Sequence, residues 1–222
     1  MFNEFTEKRK SYMFEQNEKL DARTYNILIG LCLLYGFVIN ALMVNYLTPV
    51  FLKINIILLI VGYFVLCFVG IALTNSRNPI TSFLGYNFIV VPVGVVLSVA
   101  LAEYNSDIIF KAFVATSMIV GVMTLLAIVM PKIFLSLGKT LFISLLCCIV
   151  VELFMLFFLG MSPTWMDWLV VLIFSAYIGY DWQKANEYPK TLDNAIDSSV
   201  DLYLDIINIF IRLLSIFGKS DD

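Results

Sequence analysis

The chain reads as an all-α integral membrane protein: seven transmembrane helices, with the last helix central in the bundle. Three observations predict this. Hydrophobic residues fill 61% of the 222 positions and charged residues only 14%, whereas soluble domains run near half apolar and about a quarter charged. Seven stretches are each apolar and long enough to cross a hydrocarbon core of roughly 30 Å, which takes about 20 helical residues. The last of them gathers its polar residues on one stripe, and in lipid such a stripe must turn inward.

Residues 1–24 are expected to form a polar cytoplasmic arm. They mix both signs of charge (FNEFTEKRKSYMFEQNEKLDAR) and show no apolar core behind a basic start, so no cleavable signal peptide is expected. The seven-helix domain follows over 25–217, with spans near 25–47, 54–73, 80–102, 108–130, 140–160, 164–182 and 196–217. A short polar tail, 218–222, closes the chain. Long apolar runs favour helices over barrel strands, which would alternate in shorter segments. The connections are short, and no internal repeat or low-complexity tract appears, so one bundle is expected. Gly70, Gly85, Gly94, Gly121 and Gly179 fit the use of small residues where helices approach closely.

Lysine and arginine sort by loop. Lys8, Arg9, Lys10, Lys19 and Arg23 lie in the arm, Arg77 after span two, Lys132 and Lys139 after span four, and Lys184 and Lys190 after span six. Only Lys53 and Lys219 fall on the other side. The positive-inside rule then places the N-terminus in the cytoplasm and the C-terminus outside. The polarity of the seventh span leaves re-entry as its alternative to crossing.

Several chemistries are excluded or disfavoured. A net charge of −3 gives no footing for nucleic acid. Cys32, Cys67, Cys147 and Cys148 all fall inside spans, which argues against a disulfide framework and for buried thiols acting as small hydrophobes. There is no histidine, so zinc sites built on His–Cys sets are absent, and proton sensing near neutrality falls to buried carboxylates.

The intramembrane charges carry the functional reading. In VDLYLDIINIFIRLL, Asp201, Asp205, Asn208 and Arg212 recur at helical spacing on one face. Asp181 ends span six, and it meets Asp205 if that helix runs on through 182–186. Two buried carboxylates within hydrogen-bond reach do not both ionise readily, so one holds a proton. Such a pair is a proton-sensitive latch, and its oxygens suit a hard divalent cation such as calcium. The bland alternative makes Asp181 an exposed helix-end residue. Asp193, Asp197 and Asp201 are expected to be partly solvated at the entrance to span seven, and Asp167 hydrated near the outer surface. Lys111 is placed to snorkel. Glu152, mid-span in CCIVVELFMLF, needs a polar neighbour or a proton, and a structural bond and a pathway role weigh equally for it.

FSAYIGYD, followed about twenty residues later by DLYLDIINIFIRLL, resembles the Bax inhibitor-1 (transmembrane Bax inhibitor motif) family. The likeness is most specific in the last two spans, and length and hydropathy extend it over nearly the whole chain. The resemblance implies a seven-helix fold around a central last helix and a pH-sensitive calcium leak across the membrane. It puts the family's paired aspartates on Asp181 and Asp205, and Asp201 matches an acid found in some members. It also implies an arginine near the end of the second span that latches onto the first aspartate. Arg77, in TNSRNP, is the nearest candidate, in a context without the expected basic cluster. Glu152, Asn208 and Arg212 are secondary candidates, and the first and last of these match nothing in the family pattern.

The leading expectation is therefore a calcium leak channel or transporter of a bacterial cell membrane, gated by Asp181 and Asp205, with calcium and protons as its ions. No cofactor and no enzymatic activity are expected. The alternative is a regulatory protein that restrains a membrane protease or a cell-death or stress factor. An intramembrane aspartyl protease ranks lowest, because neither Gly-x-Gly-Asp nor Pro-Ala-Leu occurs.

Overall fold

The computed structural model describes residues 19–220; most of the expected arm (1–18) and the last two tail residues lie outside the described residues. Seven helices and no strand are present among the described residues: α1 Ala22–Phe51, α2 Ile56–Thr74, α3 Pro79–Leu101, α4 Ser106–Val129, α5 Pro131–Leu159, α6 Thr164–Glu187 and α7 Leu192–Ser220. The protein is an all-α membrane protein. Helices α1 to α5 are long and apolar enough to cross a membrane by composition alone. Helices α6 and α7 are less apolar, yet their 24 and 29 residues rise about 36 and 44 Å, long enough to span.

Local chemistry sets the helix ends. Asp21 caps α1 by accepting from the Arg23 and Thr24 amides, and Asn55, Asn78 and Asn105 cap α2, α3 and α4 in the same way. Pro79 and Pro131 open α3 and α5, where a missing N–H goes unnoticed. Gly160, at φ 63°, ends α5 in the left-handed conformation that glycine adopts without strain.

Several helices outrun the expected spans. Helix α5 begins at Pro131 rather than 140, and α6 reaches Glu187 rather than 182. Hydropathy fades at Lys132, Lys139 and Lys184, but backbone hydrogen bonding continues through charged residues, so the helix does too.

The described residues form two compact units, one within Met1–Glu103 together with Ala185–Asp201 and one within Tyr104–Lys184 together with Leu202–Asp222, so α7 contributes its first part to one and its second part to the other. In the first unit α1 and α2 pack on α3. A Cβ on Gly85 would lie 2.7 Å from the Gly70 carbonyl oxygen, and one on Gly70 would lie 2.8 Å from that of Gly85. The α2 and α3 backbones therefore touch, as small residues permit. Asn40 donates to the Val90 carbonyl at 3.0 Å, and the Tyr86 hydroxyl donates to the Cys32 carbonyl at 2.8 Å. These bonds satisfy polar groups that lipid would leave bare.

In the second unit Leu141 and Cys148 of α5 pack against Met166, Val170 and Ile173 of α6. A Cβ on Gly179 would run into the Phe134 ring, and one on Gly138 into the Tyr180 ring, so α5 and α6 also interlock through glycine. Gly121 corrects the sequence reading: nothing lies within 4 Å of a Cβ there, and α4 does not use it for close approach.

Candidate functional site

Helix α7 is the chain's polar helix and among its most buried. Asp193, Asp197 and Asp205 are all at most 5% exposed. The expectation of a solvated entrance at Asp193 and Asp197 is thus corrected. Ser82 of α3 donates to Asp193 at 2.6 Å, and the Tyr25 hydroxyl of α1 bonds Ser198 at 3.1 Å and the Asn194 carbonyl at 3.3 Å. In the first unit the start of α7 is therefore held inside by hydroxyl groups of α1 and α3, which sequence separation hid. Asp201 is half-buried.

Asp181 of α6 and Asp205 of α7 belong to the second unit, and both are buried, at 7% and 5% exposure. Tyr177, one turn before Asp181, lies within electrostatic reach of both carboxylates and of Lys184. Helix α6 does run on past 182, as their meeting requires, and the exposed helix-end reading of Asp181 is overturned by its burial. Lys184 approaches Asp181 at 3.3 Å and sits 5.8 Å from the centre of the Tyr180 ring. Sequence reasoning counted Lys184 only for topology, and its i,i+3 spacing was the missed signal. Arg77 stands exposed in the turn between α2 and α3.

Seven positions beyond Asp205, Arg212 anchors a second charged site in the same unit. Its Nη1 and Nη2 donate to the two Glu152 carboxylate oxygens at 2.6 and 2.7 Å, the fork-to-fork geometry that gives strong pairing. Nη1 also donates to Asp167 at 2.9 Å. The other Asp167 oxygen accepts from Ser215 at 3.0 Å and Lys219 at 3.1 Å, while Lys219 also donates to the Ser162 carbonyl at 3.0 Å. Glu152 thus has the polar neighbour it needed. Asp167 is not hydrated as expected but 3% exposed, because its three donors all come from α7. Asn208, on the same stripe, turns back to the Leu204 carbonyl at 2.7 Å and joins neither site.

Among the described residues no three His, Cys, Asp or Glu side chains converge. A resident calcium ion takes six to eight oxygens, more than the two carboxylates of Asp181 and Asp205 supply. Outside the membrane, Asp21 has its pKa held below the ordinary 3.8 by the hydrogen bonds of Thr24, side chain first and then backbone.

Comparison with known proteins fits this architecture. The family described as "Inhibitor of apoptosis-promoting Bax1" matches residues 17–222. An uncharacterized protein of Helicobacter pylori (strain ATCC 700392 / 26695) is 32% identical over 164 residues, covering 70% of this chain and 68% of the relative. An uncharacterized membrane protein of Streptococcus pyogenes serotype M6 is 30% identical over 159 residues, 68% of each chain. The inner membrane protein YbhL of Escherichia coli K12 is 27% identical over 136 residues, 57% of this chain and 58% of YbhL. With the match running through all seven helices, the chain belongs to the Bax inhibitor-1 family.

Proposed function

We propose that the protein is a pH-sensitive calcium leak pathway, with its N-terminus in the cytoplasm and Asp181 and Asp205 as the latch. The observation that carries this reading is the burial of two like-charged groups on α6 and α7 around a shared neighbour, Tyr177. A proton shared by the pair holds the two helices together. When it leaves, two buried negative charges repel, and Lys184 draws Asp181 to its own helix. The separated carboxylates then present oxygens to a divalent cation. Asp201, half-buried one turn before Asp205, adds a further carboxylate along that helix.

Calcium flux into liposomes, measured across pH with purified protein, tests the proposal. Wild type is expected to gain about tenfold in flux between about pH 6 and 8, and Asp205→Asn or Asp181→Asn to change less than about twofold, because coupled groups lose their joint titration when either goes. Asp201→Asn should behave nearly as wild type. Equal pH dependence in wild type and both latch variants would overturn the latch, and a regulatory binding role would then lead.

A further inference from the structure

We infer that the Arg212 network is the fixed end of the α6–α7 pair, a charge clamp about which the two helices pivot when their acid ends separate. The clamp joins three helices of one unit: Glu152 from α5, Asp167 from α6, and Arg212, Ser215 and Lys219 from α7. Two cations face two carboxylates, so the cluster is formally neutral, and Arg212 links both acids within it. Cys148 of α5 also lies within electrostatic reach of Glu152 and Arg212. Along α7 the clamp stands about 10 Å from Asp205, seven residues at 1.5 Å each. Along α6, Asp167 and Asp181 are fourteen residues apart, about 21 Å.

The direction of the pivot follows from the signs of the charges. At the Asp181–Asp205 end the two buried groups of the proposed latch are alike in charge and repel once both are ionised. At the Arg212 end they are opposite, and ionisation only tightens them. Asp167 is the hub: its side chain is 4% exposed, against 25% for Arg212 and 30% for Glu152. Arg212 is the residue whose loss matters most, because it alone reaches both acids. Asp167 keeps Lys219 without it, but Glu152 loses the partner that both its oxygens engage. This inference rests on the leak reading for what moves, and on geometry alone for what stays fixed.

Hydrogen exchange of the full chain in lipid nanodiscs, corrected for the intrinsic pH dependence of exchange, separates the two. Raising the pH from about 6 to 8 should increase exchange in 177–184 and 202–206 and leave 164–170 and 209–217 unchanged, since only the like-charged end opens. Arg212→Gln should raise exchange at 164–170 and 209–217 about tenfold. Glu152→Gln/Arg212→Gln should lie closer to wild type than Arg212→Gln does, because no charge is then stranded on α5. Should Arg212→Gln not accumulate in folded form, Glu152→Gln carries the same comparison with a rise of about threefold. Clamp segments that open with pH alongside the acid end, or that stay protected in these variants, would overturn the clamp. An acid end silent to pH, with a clamp still opened by Arg212→Gln, would overturn the leak reading and support the clamp.

Discussion

Asp205 and Arg212 stand two turns apart on one helix, and each solves the cost of an intramembrane charge in a different way. Around Arg212 the signs alternate, every carboxylate oxygen has a donor, and the result is a tie between helices. In the proposed latch Asp205 is instead partnered with another buried acid, Asp181; Tyr177 lies within electrostatic reach of both, and Lys184 approaches Asp181. The first arrangement pairs opposite charges throughout. The second, as proposed, turns on a single proton. On this proposal one helix carries a fixed end and a responsive end, and the difference lies in the sign of the partner.

The comparison breaks most visibly under charge removal. Arg212→Gln should destabilise the protein by about 3 kcal/mol, the low end for a broken buried pair because a quarter of the Arg212 side chain is exposed. Asp205→Asn should change stability by less than about 1 kcal/mol, since it removes one of two like charges. Thermal unfolding in detergent measures both, and equal losses would dissolve the distinction.

A smaller effect comes from steric change without charge. Gly179→Ala sets a methyl group against the Phe134 ring two residues before Asp181, and overpacking of this kind costs about 1–3 kcal/mol. Because it displaces α6 at its responsive end, the pH midpoint of flux should shift while exchange at 209–217 stays at the wild-type level. A shift at the clamp instead would mean that α6 moves as one rigid rod.

The smallest effect belongs to a third kind of carboxylate, the exposed cap Asp21. Its pKa is depressed on folding, so its contribution is present above the ordinary 3.8 and is lost as pH falls through the lower folded value. Asp21→Ala should fray only the first turn of α1, visible as faster exchange at 22–26, and leave the flux profile between about pH 6 and 8 untouched. A change in that window would implicate a charge outside the latch.

The seven helices were legible because hydropathy reports lipid contact directly, and α2 and α5 read almost without ambiguity. Helix ends were less so: the nine residues Pro131–Lys139 are helical despite two lysines, since backbone bonding is indifferent to them. Asp205 was legible as a buried acid from the isoleucines and phenylalanine beside it. Asp167 was not, because its burial depends on donors 45 and 52 residues away. A signal for the clamp did exist. Arg212 is an intramembrane cation near one end of its helix, and with alternating spans Glu152 and Asp167 are the acids of α5 and α6 nearest that same membrane face. Gly138 escaped for a plainer reason: it falls just before the expected span 140–160, yet lies inside α5 against Tyr180.

The clamp also sets an order of events during synthesis. Glu152 precedes Arg212 by 60 residues, which at about 5–20 residues per second is a wait of roughly 3–12 seconds. Glu152 waits through all of it and Asp167 through the last 45 residues, with neither of their cations yet made. The nascent chain must keep them protonated or wet until α7 arrives, so insertion of the final helix neutralises this cluster as well as completing the fold. For a membrane quality-control protease, an uncompensated Glu152 and Asp167 would mark every chain whose last helix failed to dock.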